Sequence, residues 1–188
     1  MKTITRTLKL FAILLIIVGV IYPVAVTVLA QLFFPKEAGG SLLQDPGGNI
    51  TGSALIGQSF SDPKYFWSRP SATSGYPYNP MASGGSNLGP TNKDLLDQIS
   101  NRTEILKSSG IQAPVPSDLV ESSASGLDPH ISMQSALVQI PRVAKARNLS
   151  EEMLNKLVLE HIENRQFGFL GEQRINVLEL NLALDSMK

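Results

Sequence analysis

Apolar and polar positions divide this chain into two unlike parts. From Leu10 to Pro35 no charge interrupts a run rich in Leu, Ile, Val, Ala and Phe. As a helix that run is about 39 Å long. A hydrocarbon core takes roughly 20 residues, so the pattern predicts a membrane-spanning helix over 10–34. Residues 35–49 then form a linker rich in Gly and Pro. It ends in a tight turn, Asp45-Pro46-Gly47-Gly48-Asn49, between two short strands, the second running from about Ile50 to Phe60. From Ser61 to Asn92 aliphatic residues almost vanish. A loop of that length is a binding surface or disordered. Tyr65, Phe66, Trp67, Tyr76 and Tyr78 argue for packing and against disorder.

Helical spacing returns at Leu95, Leu96, Ile99, Arg102, Ile105 and Leu106, with Thr91 or Asn92 as cap and Gly110 as the close. A second linker, Ala113-Pro114-Val115-Pro116-Ser117, leads to Asp128-Pro129, read as N-cap and first residue of another helix that Pro141 breaks after about Ile140. Ser150 caps a third helix, with Glu151 and Glu152 at its positive end. Its apolar face is Met153, Leu154, Leu157, Val158, His161 and Ile162. Over 176–185 alternating leucines suit a strand, whereas Asn176 as cap and the Leu, Glu, Ala content suit a helix. The reading adopted is a short strand near Arg174–Ile175 followed by a helix. The fold class is thus a single N-terminal transmembrane helix followed by a small α+β domain, covering 50–188.

Charge orients this plan. Lys2, Arg6 and Lys9 all precede the apolar run, so the positive-inside rule keeps residues 1–9 in the cytoplasm and makes the α+β domain extracytoplasmic. That predicts a single-pass protein of the cell membrane. The rival is a cleaved signal with Val28-Leu29-Ala30 before Gln31, but its apolar core is longer than the usual 7–15 residues. All sixteen acidic residues follow the helix and three of the sixteen basic ones precede it, so the rest carries an excess of three acidic groups. Bulk attraction to polyanions is thereby disfavoured. With no cysteine, a disulfide framework, a thiolate metal site and a lipoprotein anchor are excluded.

Candidate chemistry is sparse, and no catalytic residue or metal ligand is assigned. Ser83-Gly84-Gly85-Ser86-Asn87 precedes a helix, where backbone N–H groups can cradle an anion. It lacks the Gly-Lys-Ser/Thr of a P-loop. Asp128-Pro129-His130 reads as a capping box, since neighbours across a proline rarely face each other. Arg142, Lys145 and Arg147 read as a solvated face or a dock for an acidic partner. In the apolar helix, Ala12, Gly19, Pro23 and Ala30 line one face where another helix can approach closely. That helix holds no ionisable residue and forms no ion path alone. An exported hydrolase or an anchored envelope scaffold stays open on these residues.

Longer runs say more. Ile56-Gly57-Gln58-Ser59-Phe60, Tyr65-Phe66-Trp67-Ser68-Arg69-Pro70-Ser71-Ala72, Tyr78-Asn79, Ser83 through Asn92, Ser123-Ala124-Ser125-Gly126-Leu127-Asp128-Pro129-His130, Pro141 through Arg147 and Asn176 through Asn181 follow one another. In that order they resemble the C subunits of Kdp potassium-transporting P-type ATPases. The resemblance covers nearly the whole chain. It implies a complex with a potassium-translocating subunit, a P-type ATPase subunit and a very small membrane subunit, in which ATP and potassium are handled by the complex. It further implies a non-catalytic subunit described as a catalytic chaperone that raises ATP affinity, with Ser83, Gly84, Gly85, Ser86 and Asn87 likened to a nucleotide loop. The charge pattern places that loop outside, away from cytoplasmic ATP. The reading adopted is a cap on the outer mouth of the potassium-translocating subunit, with Tyr65, Trp67, Arg69, Tyr78 and Asn79 in the leading contact surface and the Ala12, Gly19, Pro23, Ala30 face docked in the membrane.

Overall fold

A computed structural model describes residues 2–45, 47–111 and 114–187; Pro46 of the expected turn and Ala113 of the expected linker lie outside them. The chain divides into two compact units, one up to Leu42 and one from Leu43 onward.

The first unit is one continuous apolar helix with a defect. Helix α1 (Lys2–Ile16) passes through a π turn, Ile17–Ile21, into α2 (Tyr22–Phe33). A further turn, α3 (Pro35–Ala38), occupies the start of the expected linker. Residues 2–33 are long and apolar enough to cross a membrane. The π turn has a local cause. Pro23 has no N–H and its ring crowds the carbonyl four residues back, and Tyr22 instead donates to Ile17 O, five residues back. That wide turn puts one residue too many into the repeat and rotates the C-terminal half of the helix by roughly a quarter turn. Pro23 and Ala30, seven residues apart beyond that turn, share a face of α2, whereas Gly19 lies inside the turn and Ala12 before it, so the rotation offsets both from that face.

The second unit is built on a three-stranded antiparallel sheet of order β3–β5–β4, with β3 His130–Ser132, β4 Ile162–Glu163 and β5 Arg174–Asn176. Ile175 of the central strand lies between Ile131 and Ile162. A separate hairpin joins β1 (Leu42–Gln44) to β2 (Ile50–Ser53). The expected strand to Phe60 stops at Ser53, because Ser53 O takes Ile56 N–H in a turn and Gly57 N–H goes to Leu127 O.

The helices are α4 (Lys93–Ser108), α5 (Met133–Leu137), α6 (Ile140–Arg147), α7 (Glu151–Glu160) and α8 (Val177–Ser186). Asn92, Ser150 and Asn176 cap α4, α7 and α8 through their side chains, as the sequence indicates. The core joins Ile131, Ile140, Val143, Leu154, Val158, Ile175, Leu180 and Leu184 with Phe66 from the long irregular segment.

The helix expected from Asp128 is absent. Pairing of His130, Ile131 and Ser132 with Asn176, Ile175 and Arg174 makes that stretch a strand, and the cap moves to Ser132, whose hydroxyl takes Ser135 N–H at 3.1 Å. Pro141 lies in the first turn of α6, directly after Ile140, where a missing N–H costs nothing. Helix α7 ends one residue before His161, which is its half-buried C-cap with Nδ1 2.8 Å from Leu157 O. Ile162 belongs to β4, and Met153 faces solvent.

Candidate functional site

The irregular run from Ala54 to Asn92 contains one helical turn, Pro80–Ala82, yet two buried carboxamides hold its centre as a sheet would. Asn181 of α8 accepts from Phe66 N–H and donates to Phe66 O, both at 2.9 Å. Gln139 accepts from Trp67 N–H at 2.7 Å and donates to Trp67 O at 3.2 Å. A primary amide offers one acceptor and two donors, so each side chain imitates a neighbouring strand. Phe66 is thereby sunk fully into the core.

Arg142 completes this clamp. Its guanidinium lies 4.0 Å above the Trp67 ring and donates to Pro63 O at 2.6 Å and Gln139 Oε1 at 2.7 Å. Burial pulls this group down to about 10, against the opposing charge of Asp62. Arg147 stands over Tyr65 and pairs with Asp185 at 2.6 Å. The basic cluster expected to be a solvated or docking face thus contributes two internal clamps, and Lys145 alone of the three is exposed.

The residues 69–79 are knitted together in the same way. Tyr78 is buried with φ +60, a conformation uncommon for a bulky side chain. Ser71 Oγ holds its N–H at 2.9 Å, and its hydroxyl donates to Arg69 O at 2.5 Å. Asn79 accepts from Met81 N–H and donates to Ser74 O. Of the residues expected in a contact surface, Tyr65, Trp67, Arg69, Tyr78 and Asn79 are all engaged inside the unit. Tyr76 and Met81 are the large apolar side chains exposed here.

Burial pushes the Tyr78 phenol up to about 12. A phenol with its folded pKa raised stabilises the fold fully below the unfolded value near 10 and loses that contribution as pH rises through 12. About 2–3 kcal/mol is expected to disappear between pH 10 and 12. Chemical denaturation of the chain and of Tyr78→Phe across that range reads it. The variant lacks this loss, while the opposing contribution of Arg142 is common to both.

Arg69 opens a chain of side-chain contacts. Arg69 Nη1 lies 3.1 Å from Asp128 Oδ2, Asp128 Oδ1 3.2 Å from His130 Nδ1, and His130 Nε2 3.4 Å from Glu163 Oε1. Glu163 Oε2 in turn sits 2.8 Å from Arg174 Nε. Burial raises the Asp128 carboxyl, but hydrogen bonds from His130 and the charges of Arg69 and His130 outweigh it and hold the group below its usual value. Asp128 and His130 therefore face each other, because the strand at His130 brings the imidazole back over the carboxylate that caps its own N–H. Of these, Arg69, Asp128, His130 and Arg174 line a cavity of about 590 Å³, along with Asp118, Ser132 and Gln134. Asp118 is itself taken up by Ser132 N–H at 2.7 Å and by the Ser135 hydroxyl. No group of three His, Asp or Glu side chains placed to hold a metal ion occurs among the described residues.

The segment Ser83–Asn87 lies against residues 123–126. Gly84 N–H donates to Ser125 O at 2.9 Å and Ser83 Oγ to the same oxygen at 3.0 Å. A Cβ on Gly85 would come within 3.1–3.4 Å of backbone atoms of Ser123 and Ala124. The next helix starts only at Lys93, and the Asn92 side chain already caps it by accepting from Asp94 N–H.

Sequence reasoning missed Gln139, Asn181, Glu163 and Arg174. For the first two a signal exists, a lone carboxamide at an apolar helical position. For the second pair it does not, since their partnership depends on strand register.

A family model described as KdpC, the c chain of K+-transporting ATPases, matches residues 4–186. The chain is 56% identical over 187 residues to the potassium-transporting ATPase KdpC subunit of Geobacter metallireducens, covering 100% of this chain and 99% of that protein. With the subunit of the same name from Geobacter sulfurreducens it shares 54% over 187 residues, at 100% and 99% coverage. The Burkholderia mallei subunit is 52% identical over 189 residues, at 99% and 97%.

Proposed function

The chain belongs to the KdpC family and is an accessory subunit of a potassium-transporting ATPase, and we propose that it works as an extracytoplasmic cap on the potassium-translocating subunit. The observation that carries this reading is the distribution of charge about the apolar helix. Lys2, Arg6 and Lys9 stand before it, and no charge comes after them until Lys36. A helix so flanked keeps its N-terminus in the cytoplasm and exports the chain beyond it. The subunit then supplies no catalytic group and binds no ATP at Ser83–Asn87. It raises ATP affinity at a distance, by stabilising one state of the complex in which the P-type ATPase subunit and the small membrane subunit also sit. In the membrane, a partner helix approaches at the small or kinked positions, Pro23 and Ala30 on one face of α2 and Ala12 and Gly19 on the side set off by the π turn.

Cysteine labelling tests the sidedness. The chain has no native cysteine, and Met81 is 91% exposed on the irregular segment. In intact cells a membrane-impermeant maleimide is expected to label Met81→Cys and to spare Thr3→Cys. Labelling of Thr3→Cys alone overturns the extracytoplasmic reading and returns Ser83–Asn87 to contention as a nucleotide contact.

A further inference from the structure

Between β4 and β5 the chain runs out into a finger tipped by Phe167, Phe169 and Leu170, which are 87%, 71% and 48% exposed. We propose that Phe167 and Phe169 are the anchor by which this subunit docks into an apolar pocket on a neighbouring protein subunit of the pump. This rests on membership of the complex and is independent of which side of the membrane the finger occupies.

The finger is built to present those rings. Gln166 and Leu170 exchange both backbone hydrogen bonds at 2.9 Å, and Gly168 and Phe169 N–H groups bond back to Arg165 O and Gln166 O. Below the tip, Arg165 pairs with Glu172 at 2.5 Å, Gln173 donates to Asn164 at 2.9 Å, and Arg174 pairs with Glu163. A tip so laced is ordered before it binds, and prior order removes the cost of ordering the loop on docking. Phe167 at φ +53 and Gly168 at φ +81 are the left-handed pair that the tight turn requires, and the first of them is a strained conformation for an aromatic residue. Such strain marks functional positions.

The charges identify the occupant. Two acids and two bases on the stalk, Glu163, Glu172, Arg165 and Arg174, are paired across it, so the tip enters an apolar pocket without stripping an uncompensated charge. A bilayer surface is the poorer fit. The unit carries an excess of acidic groups, which anionic lipid repels, and Arg165, the base nearest the tip, is already paired with Glu172.

Photocrosslinking in the purified assembled pump, reconstituted in lipid, tests this with benzoylphenylalanine at position 167 and, as control, at position 81. The expected result is a crosslink from 167 to one segment of one partner subunit, and none from 81 to that segment. Crosslinks to lipid, or no crosslink from 167, overturn the proposal. The double variant Phe167→Ser, Phe169→Ser is expected to keep its own thermal midpoint, both rings being exposed, while it dissociates from the complex about 30-fold or more faster. Unchanged retention overturns the proposal as well. Failure here leaves the maleimide result untouched, so sidedness and docking are judged separately.

Discussion

Asn181→Leu is expected to destabilise the α+β unit by about 2–4 kcal/mol, although leucine shares the branching of asparagine and suits its apolar surroundings. The loss comes from the far side of the contact. Asn181 takes both backbone groups of Phe66, N–H and C=O, at a residue with no exposed surface. Leucine leaves both unpaired in a dry site, at roughly 1–3 kcal/mol each, and the gain from burying an extra apolar side chain offsets part of that. For a region near 150 residues this lowers the thermal midpoint by about 5–15 °C. The clamp also has a local signature. Release of Phe66 frees Lys64 and Tyr65, so trypsin should cut at Lys64 faster in the variant under native conditions. An unchanged midpoint with unchanged cleavage would mean that the carboxamide contributes nothing to holding the segment.

That clamp marks the boundary of what sequence alone reveals here. The apolar helix and the caps at Asn92, Ser150 and Asn176 are local features, each cap complete within about four residues, and all are visible in the chain. The ambiguous tail resolves the same way, because the Asn176 side chain bonds Leu178 and Glu179 N–H groups and so starts a helix directly after a strand. Strand β3 is different. Nothing near His130 announces a strand, and its ladder partner lies more than forty residues further on. Asp128-Pro129, read locally, is a good helix start, and the sheet overrides it. Gln139 and Asn181 are hidden for another reason. A carboxamide on a buried helix face reads as a cost until the backbone it satisfies is known. Arg142 shows the converse, a cation that sequence assigns to solvent and that Trp67 and Pro63 draw inside. The order of the irregular segment is therefore written in polar residues on helices far from it.

The Ser83–Asn87 loop depends on one glycine outside it, and Gly126→Ala is expected to cost about 2–4 kcal/mol and to detach the loop. Gly126 has φ +67, where alanine is strained by roughly 1 kcal/mol. A Cβ there would also lie 2.7 Å from Gly84 O and 2.6 Å from Thr73 Cγ2. The carbonyl is backbone and cannot swing aside as a side chain can, so overpacking adds about 1–3 kcal/mol. Relief requires residues 83–85 to move off 123–126, which breaks the bonds of Ser83 and Gly84 to Ser125 O. Gly126 O also receives Ser71 Oγ at 2.7 Å, so the 71–79 loop is disturbed with it. Gly84→Ala is the informative comparison. A Cβ on Gly84 meets nothing within 4 Å, and the fold should stay within about 0.5 kcal/mol of the parent. Thermal unfolding of the two variants checks the structural half. Assembled pumps carrying each variant check the functional half through the KM for ATP. If the loop acts only as part of the extracytoplasmic packing, Gly126→Ala weakens the subunit's effect on ATP use and Gly84→Ala leaves it unchanged. A raised KM in Gly84→Ala, with its fold intact, would instead mean that the loop itself touches nucleotide or the nucleotide-binding subunit, and the outer-cap reading would fall.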